Sequence, residues 1–371
     1  MFRFVSVVAG LALSAWIVAG GEAPQETAGG AMKNPFVYVA GYNPAISCFV
    51  LDMATGALKP SSSSDGGKSP TYLAWSPSRK FMYAVNEVGG GRVTAFAINP
   101  QDGSLTRIND ASSAGNGPCH VSVHPGGKWV FAANYGSGTI GVLAVKPDGG
   151  VEEPAEKLAP GKNAHQIVTD ASGKYVFVPC LGSNHVAQFV FDEATGKLTP
   201  NNPPTVPTAQ GAGPRHLCFH PSGKSAYLIN ELDSTLTSFA YDAAKGLLSA
   251  PETLPTLPAG AAVKSSTAHV LATPSGKFVY GSNRGHDSIV IYGVNAETGR
   301  LALVGHETGG GEIKVPRDFT LDPTGAYLLV ASQNAGSVTV FRCDAAKGTL
   351  QKLKPVKVPP GPAFVGVMPV P

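Results

Sequence analysis

The stretch GPRHLCFHPSGKSAYLINE, residues 213–231, opens on a guanidinium and an imidazole, runs through apolar residues to a turn, and closes on an amide and a carboxylate. Two apolar runs joined by a Pro-Ser-Gly turn read as a β-hairpin, which brings its last residue back to the end where it began. Arg215 and Glu231 therefore belong at one end of one hairpin. The arginine offers a planar fork suited to carboxylate or phosphate oxygens, and a carboxylate near an imidazole can share a proton-transfer task.

The hairpin returns along the chain with different residues at its ends. At the first end stand Thr71, Cys119, His165, Arg215, His269, Arg317 and Ala363. At the second end stand Tyr42, Glu87, Tyr135, Leu181, Glu231, Arg284 and Gln333, with Asn86, Asn134, Asn230 and Asn283 just before four of them. A purely structural repeat favours the same residue in every copy. Divergence at equivalent positions is what one asymmetric site inside a symmetric frame looks like. We expect Arg215, Arg284 and Arg317 to hold the anion, Glu231 with His165 or His269 to share the proton transfer, and Asn230, Asn283 and Glu87 to contact the substrate. The arginines predict an anionic ligand and would stabilise an oxyanion formed beside them. For Arg215 and Glu231 a plain salt bridge within one blade is the competing account. His124 and His220 recur at the turns HPGGK and HPSGK and read as structural.

The elements that position these residues follow from the repeat itself. Its copies start at 70, 118, 164, 214, 268, 316 and 362. Each hairpin is followed by an alternating run such as RVTAFAI, HVAQFVF or TLTSFAY, then by a turn with a recurring Asx and Gly. Asx opens turns and Gly accepts positive φ, so each unit is four short antiparallel strands, A to D. Seven such units predict an all-β, seven-bladed propeller. The last copy, 361–369, supplies only an A strand, whereas PFVYVAGYNPAISCFVLDMATGAL near the start supplies B, C and D without one. The two ends complete one blade together, so 35–371 reads as a single domain. With strand A nearest the axis, the seven hairpin ends meet at one mouth of the central channel.

Composition excludes other classes. The net charge is +3 and no cluster of Lys or Arg alternates with aromatics, so nucleic acid is not an expected partner. Arg3, an apolar run to about Gly20 and the small-residue stretch AGGEA read as a signal peptide over 1–23, cleaved near Ala19 to Ala23, with a flexible leader over 24–34. The mature protein is then exported, monomeric and without stable membrane insertion. An uncleaved anchor is the alternative, because the run is just long enough to span a bilayer. The five cysteines are scattered without metal-ligand spacing, so no metal or cofactor is expected and most read as small buried hydrophobes. A Cys119–Cys180 bridge is the weaker reading.

The segments NAHQIVTD, GPRHLCFHPSGK, YLINELDSTLTSF and GSNRGHDSI resemble the seven-bladed propeller lactonases, over nearly all of 35–371. These include the bacterial propeller-type 6-phosphogluconolactonases and the fungal 3-carboxy-cis,cis-muconate lactonising enzymes. The resemblance implies a site at His165, Arg215, Glu231 and Arg284. It also implies hydrolysis of an anionic sugar lactone by a base-activated water or, on the muconate side, a cycloisomerisation without water. A signal peptide departs from a cytosolic 6-phosphogluconolactonase and bears on the substrate rather than the fold. FAANYGSGTIGVL is similar to the repeat of YVTN-type surface propellers, which leaves an exported propeller that only binds an anionic ligand or a protein as the rival function.

Overall fold

The computed structural model describes residues 34–370; the expected signal peptide and the leader up to residue 33 lie outside them. Seven antiparallel sheets follow one another around an axis, each in strand order A-B-C-D. Blade 5 is typical, with A at Pro214–Phe219, B at Ser225–Asn230, C at Thr235–Asp242 and D at Leu247–Pro255. Its B strand is buried throughout, whereas D, in which only Leu248 is buried, is the outer edge. Blade 1 closes the ring as expected. Its A strand, Pro362–Met368, pairs antiparallel with Phe36–Gly41, placing Phe36 opposite Met368 and Tyr38 opposite Gly366.

Packing closes the ring too. Each hydrophobic cluster is shared by two neighbouring blades, including one in which Val37, Val39 and Phe49 of blade 1 meet Tyr327, Leu329 and Val340 of blade 7. Polar ties reinforce it. A ring at the start of strand B reaches the C–D turn of the next blade: Trp129 Nε1 donates to Glu193 O, Tyr175 Oη to Ala244 O, Tyr280 Oη to Gly348 O and Tyr327 Oη to Met53 O. The turn histidines act similarly, with His124 Nε2 3.1 Å from Gly173 O and His220 Nε2 2.8 Å from Gly276 O. Their structural reading holds. The A–B turns place Gly127, Gly173, Gly223, Gly276 and Gly325 at positive φ, and Arg79 takes the same conformation, φ 59°, in the one copy that reads SPSRK. All five cysteines are free thiols, and Cys48, Cys119 and Cys180 are buried.

One irregularity of strand A matters for the site. In blade 5 Pro214 lies opposite Asn230 and His216 opposite Ile229, so Arg215 is an extra residue with no partner. The same bulge recurs at Thr71, Cys119 and Arg317. A bulge breaks the alternation of sides along a strand. As a result, the bulged residue and the one after it both face the channel, at two successive depths.

Candidate active site

The bulged residues line a small pocket at the channel mouth. Its walls are Thr71, Cys119, His165, Arg215, Arg317 and Ala363, with Glu87 from the end of a B strand and the rings of Tyr72 and His216 below. The expected convergence of His165, Arg215, Arg317 and Glu87 is therefore present.

Glu231 follows the B strand of blade 5, its N–H donating to Gly213 O at 2.7 Å. Its two oxygens are taken by two arginines: Arg215 Nε donates to Oε2 at 2.8 Å, and Arg284 Nη2 lies 3.0 Å from Oε1. Burial pushes the Glu231 carboxyl up, but Arg215, Arg284 and Arg317 outweigh it and hold the group below the usual carboxylate range. Arg215 is only 3% exposed and also donates from Nη1 to Ala268 O. Burial, with Arg284 close by, lowers its pKa to about 10, so it remains a cation. Arg284 Nη2 also donates to Thr267 O at 2.7 Å, and its buried Nε has no partner. The salt-bridge account of Arg215 and Glu231 is thus correct as geometry, with Arg284 as a third member. Arg317 differs. Among the described residues no carboxylate lies within ion-pair distance of it; its guanidinium stands 5.4 Å from the centre of the Tyr42 ring. It is the cation of the mouth most available to a ligand.

His165 owes its setting to a proline. Its N–H donates to Pro179 O at 2.9 Å, but Pro179 has no N–H to return the bond. The thiol of Cys119, 3.2 Å away, donates to the His165 carbonyl instead. Burial pushes that thiol up to about 12, which keeps it protonated and able to donate. Strand A of blade 4 is correspondingly reduced to Val168–Thr169. The His165 ring packs edge-on against Tyr135. Burial first, then Arg215, Arg317 and Arg284, hold it well below the usual imidazole range, and the ring is neutral.

Three expectations are corrected. His269 does not reach the mouth. In blade 6 Thr267 pairs with Asn283 and Val270 with Gly281, so Ala268 takes the place of Arg215 and His269 that of His216, one layer deeper. Asn230 and Asn283 are turned into their blades. Asn230 Nδ2 donates to Thr235 Oγ1 and Thr237 Oγ1, and Asn283 Nδ2 to Thr256 O and Ser288 Oγ. Asn230 ties the end of its strand B to strand C, and Asn283 ties its own strand B to strand C and to the loop carrying Thr256.

The layer that sequence reasoning missed lies directly beneath the mouth. Tyr72, His120, His216, His269 and Phe364 fill the channel with rings, with Gln166 and Asp318 completing the layer; Tyr72 and His120 stand 4.3 Å apart between centres. Below this plug a second cavity, about 460 Å³, is lined largely by apolar side chains such as Leu73, Trp75, Val121, Leu217 and Phe319. Among the described residues no cluster of three His, Cys, Asp or Glu side chains is placed to hold a metal ion. No helix among them is long and apolar enough to cross a membrane.

The family model of the seven-bladed β-propeller lactonases matches residues 36–366, and the chain belongs to that family. It is 33% identical to a 6-phosphogluconolactonase of Pectobacterium carotovorum over 82% of this chain and 89% of the relative. It is 32% identical to that of Bacillus subtilis, over 88% and 95%. Among solved structures, a periplasmic gluconolactonase of Pseudomonas aeruginosa superposes with a TM-score of 0.85 at 29% identity, covering 91% of this chain and 99% of the other.

Proposed function

We propose that the protein is an exported sugar lactonase that opens the ester of an anionic, 6-phosphogluconolactone-like substrate at the channel mouth. The observation that carries this is the free Arg317 beside a fixed Arg215–Glu231–Arg284 cluster, three guanidiniums against the two carboxylates Glu87 and Glu231. In this reading Arg317 holds the anionic group, and Arg284, with its unpartnered Nε, faces the oxyanion that forms on the carbonyl. Glu231, bound by two cations, is a weak base and serves chiefly to fix the arginines. His165, neutral, accepts a hydrogen bond from the attacking water.

Export is supported by the signal-like residues 1–23 and by the periplasmic description of the Pseudomonas relative. It is checked by the N-terminal mass and fractionation of the mature chain. Residues 35–371 are taken as one domain, supported by the pairing of the terminal strands, and as a monomer, which size-exclusion chromatography checks. The activity is tested by following the disappearance of 6-phosphogluconolactone and glucono-1,5-lactone with purified protein. A rate well above buffer is expected; equal rates with and without protein across both lactones would sink the reading.

A further inference from the structure

His216 sits at the centre of the plug, 2% exposed, and its ring touches those of Tyr72, His120, His165 and His269. It lines the mouth pocket, and its Nε2 has no hydrogen-bond partner. Its other nitrogen, Nδ1, is 2.7 Å from Nδ1 of His269. At that distance one nitrogen carries the proton and the other accepts it. His269 in turn lines the lower cavity, and its Nδ1 lies 3.4 Å from Oδ1 of Asp318. Asp318 is 3% exposed; its Oδ2 accepts the N–H of Val365 at 3.0 Å, while Oδ1 has no hydrogen bond. A line of imidazole nitrogens thus runs from the mouth through the plug to the cavity beneath.

We propose that His216 is a catalytic residue of the lactone hydrolysis and that His216 and His269 together form a neutral proton relay, with Asp318 as its positioning residue. The proposal rests on the lactonase reading. In the resting pair His216 carries its proton on Nδ1 and His269 on Nε2. Water attacks the lactone carbonyl carbon, the carbonyl oxygen becomes the oxyanion, and the proton of the water that is not hydrogen-bonded to His165 passes to His216 Nε2. The proton on His216 Nδ1 moves to His269 Nδ1, and the one on His269 Nε2 leaves to water in the lower cavity. When the tetrahedral intermediate collapses, the C–O bond of the ring breaks and the departing ring oxygen takes the proton from His216 Nε2. His269 Nδ1 then returns its proton to His216 Nδ1, and His269 Nε2 is reprotonated from the cavity. The products are the hydroxyl and the carboxylic acid of the opened sugar acid, which then ionises.

Neither ring becomes an imidazolium at any stage. That matters because burial, the adjacent Arg215 and the neighbouring rings of His269, His165 and His120 hold His216 well below the usual imidazole range. Burial and Arg215 likewise hold His269 down, to about 3. A single histidine acting as base here would have to charge in that setting; a pair that takes a proton at one end and releases one at the other does not. Asp318, pushed up to about 7 by burial, gives His269 Nδ1–H a second acceptor in the relayed state.

The test compares wild-type, His216→Gln and His269→Gln proteins on the same lactone, with melting curves to confirm folding. Proton transfer of this kind contributes about 10² to 10⁴ in rate. His216→Gln is expected to lower kcat about 100-fold with KM within threefold. His269→Gln is expected to lower kcat at least tenfold and to convert a curved proton inventory in H2O–D2O mixtures into a straight one. An active wild type with kcat unchanged in His216→Gln overturns the relay alone; an inactive wild type overturns the lactonase reading with it. Nitrogen-15 spectra of histidine-labelled wild type supply a readout independent of turnover. His216 and His269 are expected to stay neutral from pH 5 to 8, and an imidazolium forming at either ring in that range contradicts the relay.

Discussion

The mouth and the layer beneath it are made from consecutive residues of the same strands, yet one holds paired charges and the other neutral rings. Arg215 meets Glu231 at 2.8 Å, while His216, the next residue, meets His269 at 2.7 Å with no charge on either ring. A bulge puts both side chains in the channel, and depth decides their state. At the mouth each ion finds an opposite charge or the opening; one layer down, desolvation removes the charge. On the proposed function, recognition of the anion falls to the mouth, and the deeper layer is suited to moving protons without creating ions.

The sharpest way to break this division is to remove the carboxylate that organises the mouth. Glu231→Gln leaves Arg215 buried and facing Arg284 without an opposite charge, and should lower unfolding free energy by about 3 kcal/mol in urea titrations and abolish hydrolysis. A loss below about 1 kcal/mol with activity kept would mean that the cluster is incidental. Next comes Arg317→Gln. A charge-assisted contact contributes about 2 kcal/mol, so KM for a phosphorylated lactone should rise about 30-fold while the melting temperature barely moves.

The deeper layer is probed by pH. Burial holds His120 down to about 3, and His216 and His269 of the same layer are lowered as well, as is His165 at the mouth above it. Between that value and the unfolded pKa of about 6.5, the unfolded chain binds more protons. Stability should therefore be full above about pH 6.5 and decline on acidification, each histidine contributing a slope of up to about 1.4 kcal/mol per pH unit. His120→Gln should flatten the curve by about one proton; an unchanged slope would show that the ring is charged in the folded protein. The smallest effect is expected at the junction of the two layers. Cys119→Ala removes the donor to the His165 carbonyl and should cost about 1 kcal/mol in denaturant titration, with no effect if water replaces the thiol.

Much of this architecture was legible in the chain. Seven copies with Asx-Gly turns fixed the blade count, and the split of one blade between 361–369 and the first strands of the described residues gave closure. Repeat divergence located the mouth, because a site within a ring must break its symmetry. The slip at His269 came from aligning copies at their first residue. Arg215 precedes Pro221 of its turn by six positions and His269 precedes Pro274 by five, so counting back from the turn pairs His269 with His216. Asn230 and Asn283 were misjudged because an amide at a strand end can face a ligand or its own loop, and only the threonines and serine around it decide. The plug was missed for a different reason. Strict alternation sends the residue after Arg215 away from the channel, and nothing in the sequence except the recurring Pro before it marks the bulge that turns it back.

The claim that the mouth, and not the cavity beneath the plug, holds the substrate is tested most directly by a crystal structure with the hydrolysis product 6-phosphogluconate. The account predicts the product at the mouth, its phosphate on Arg317 and its new carboxylate beside Arg284. Product bound in the cavity lined by Leu73, Trp75, Leu217 and Phe319, with the mouth unchanged, would contradict it.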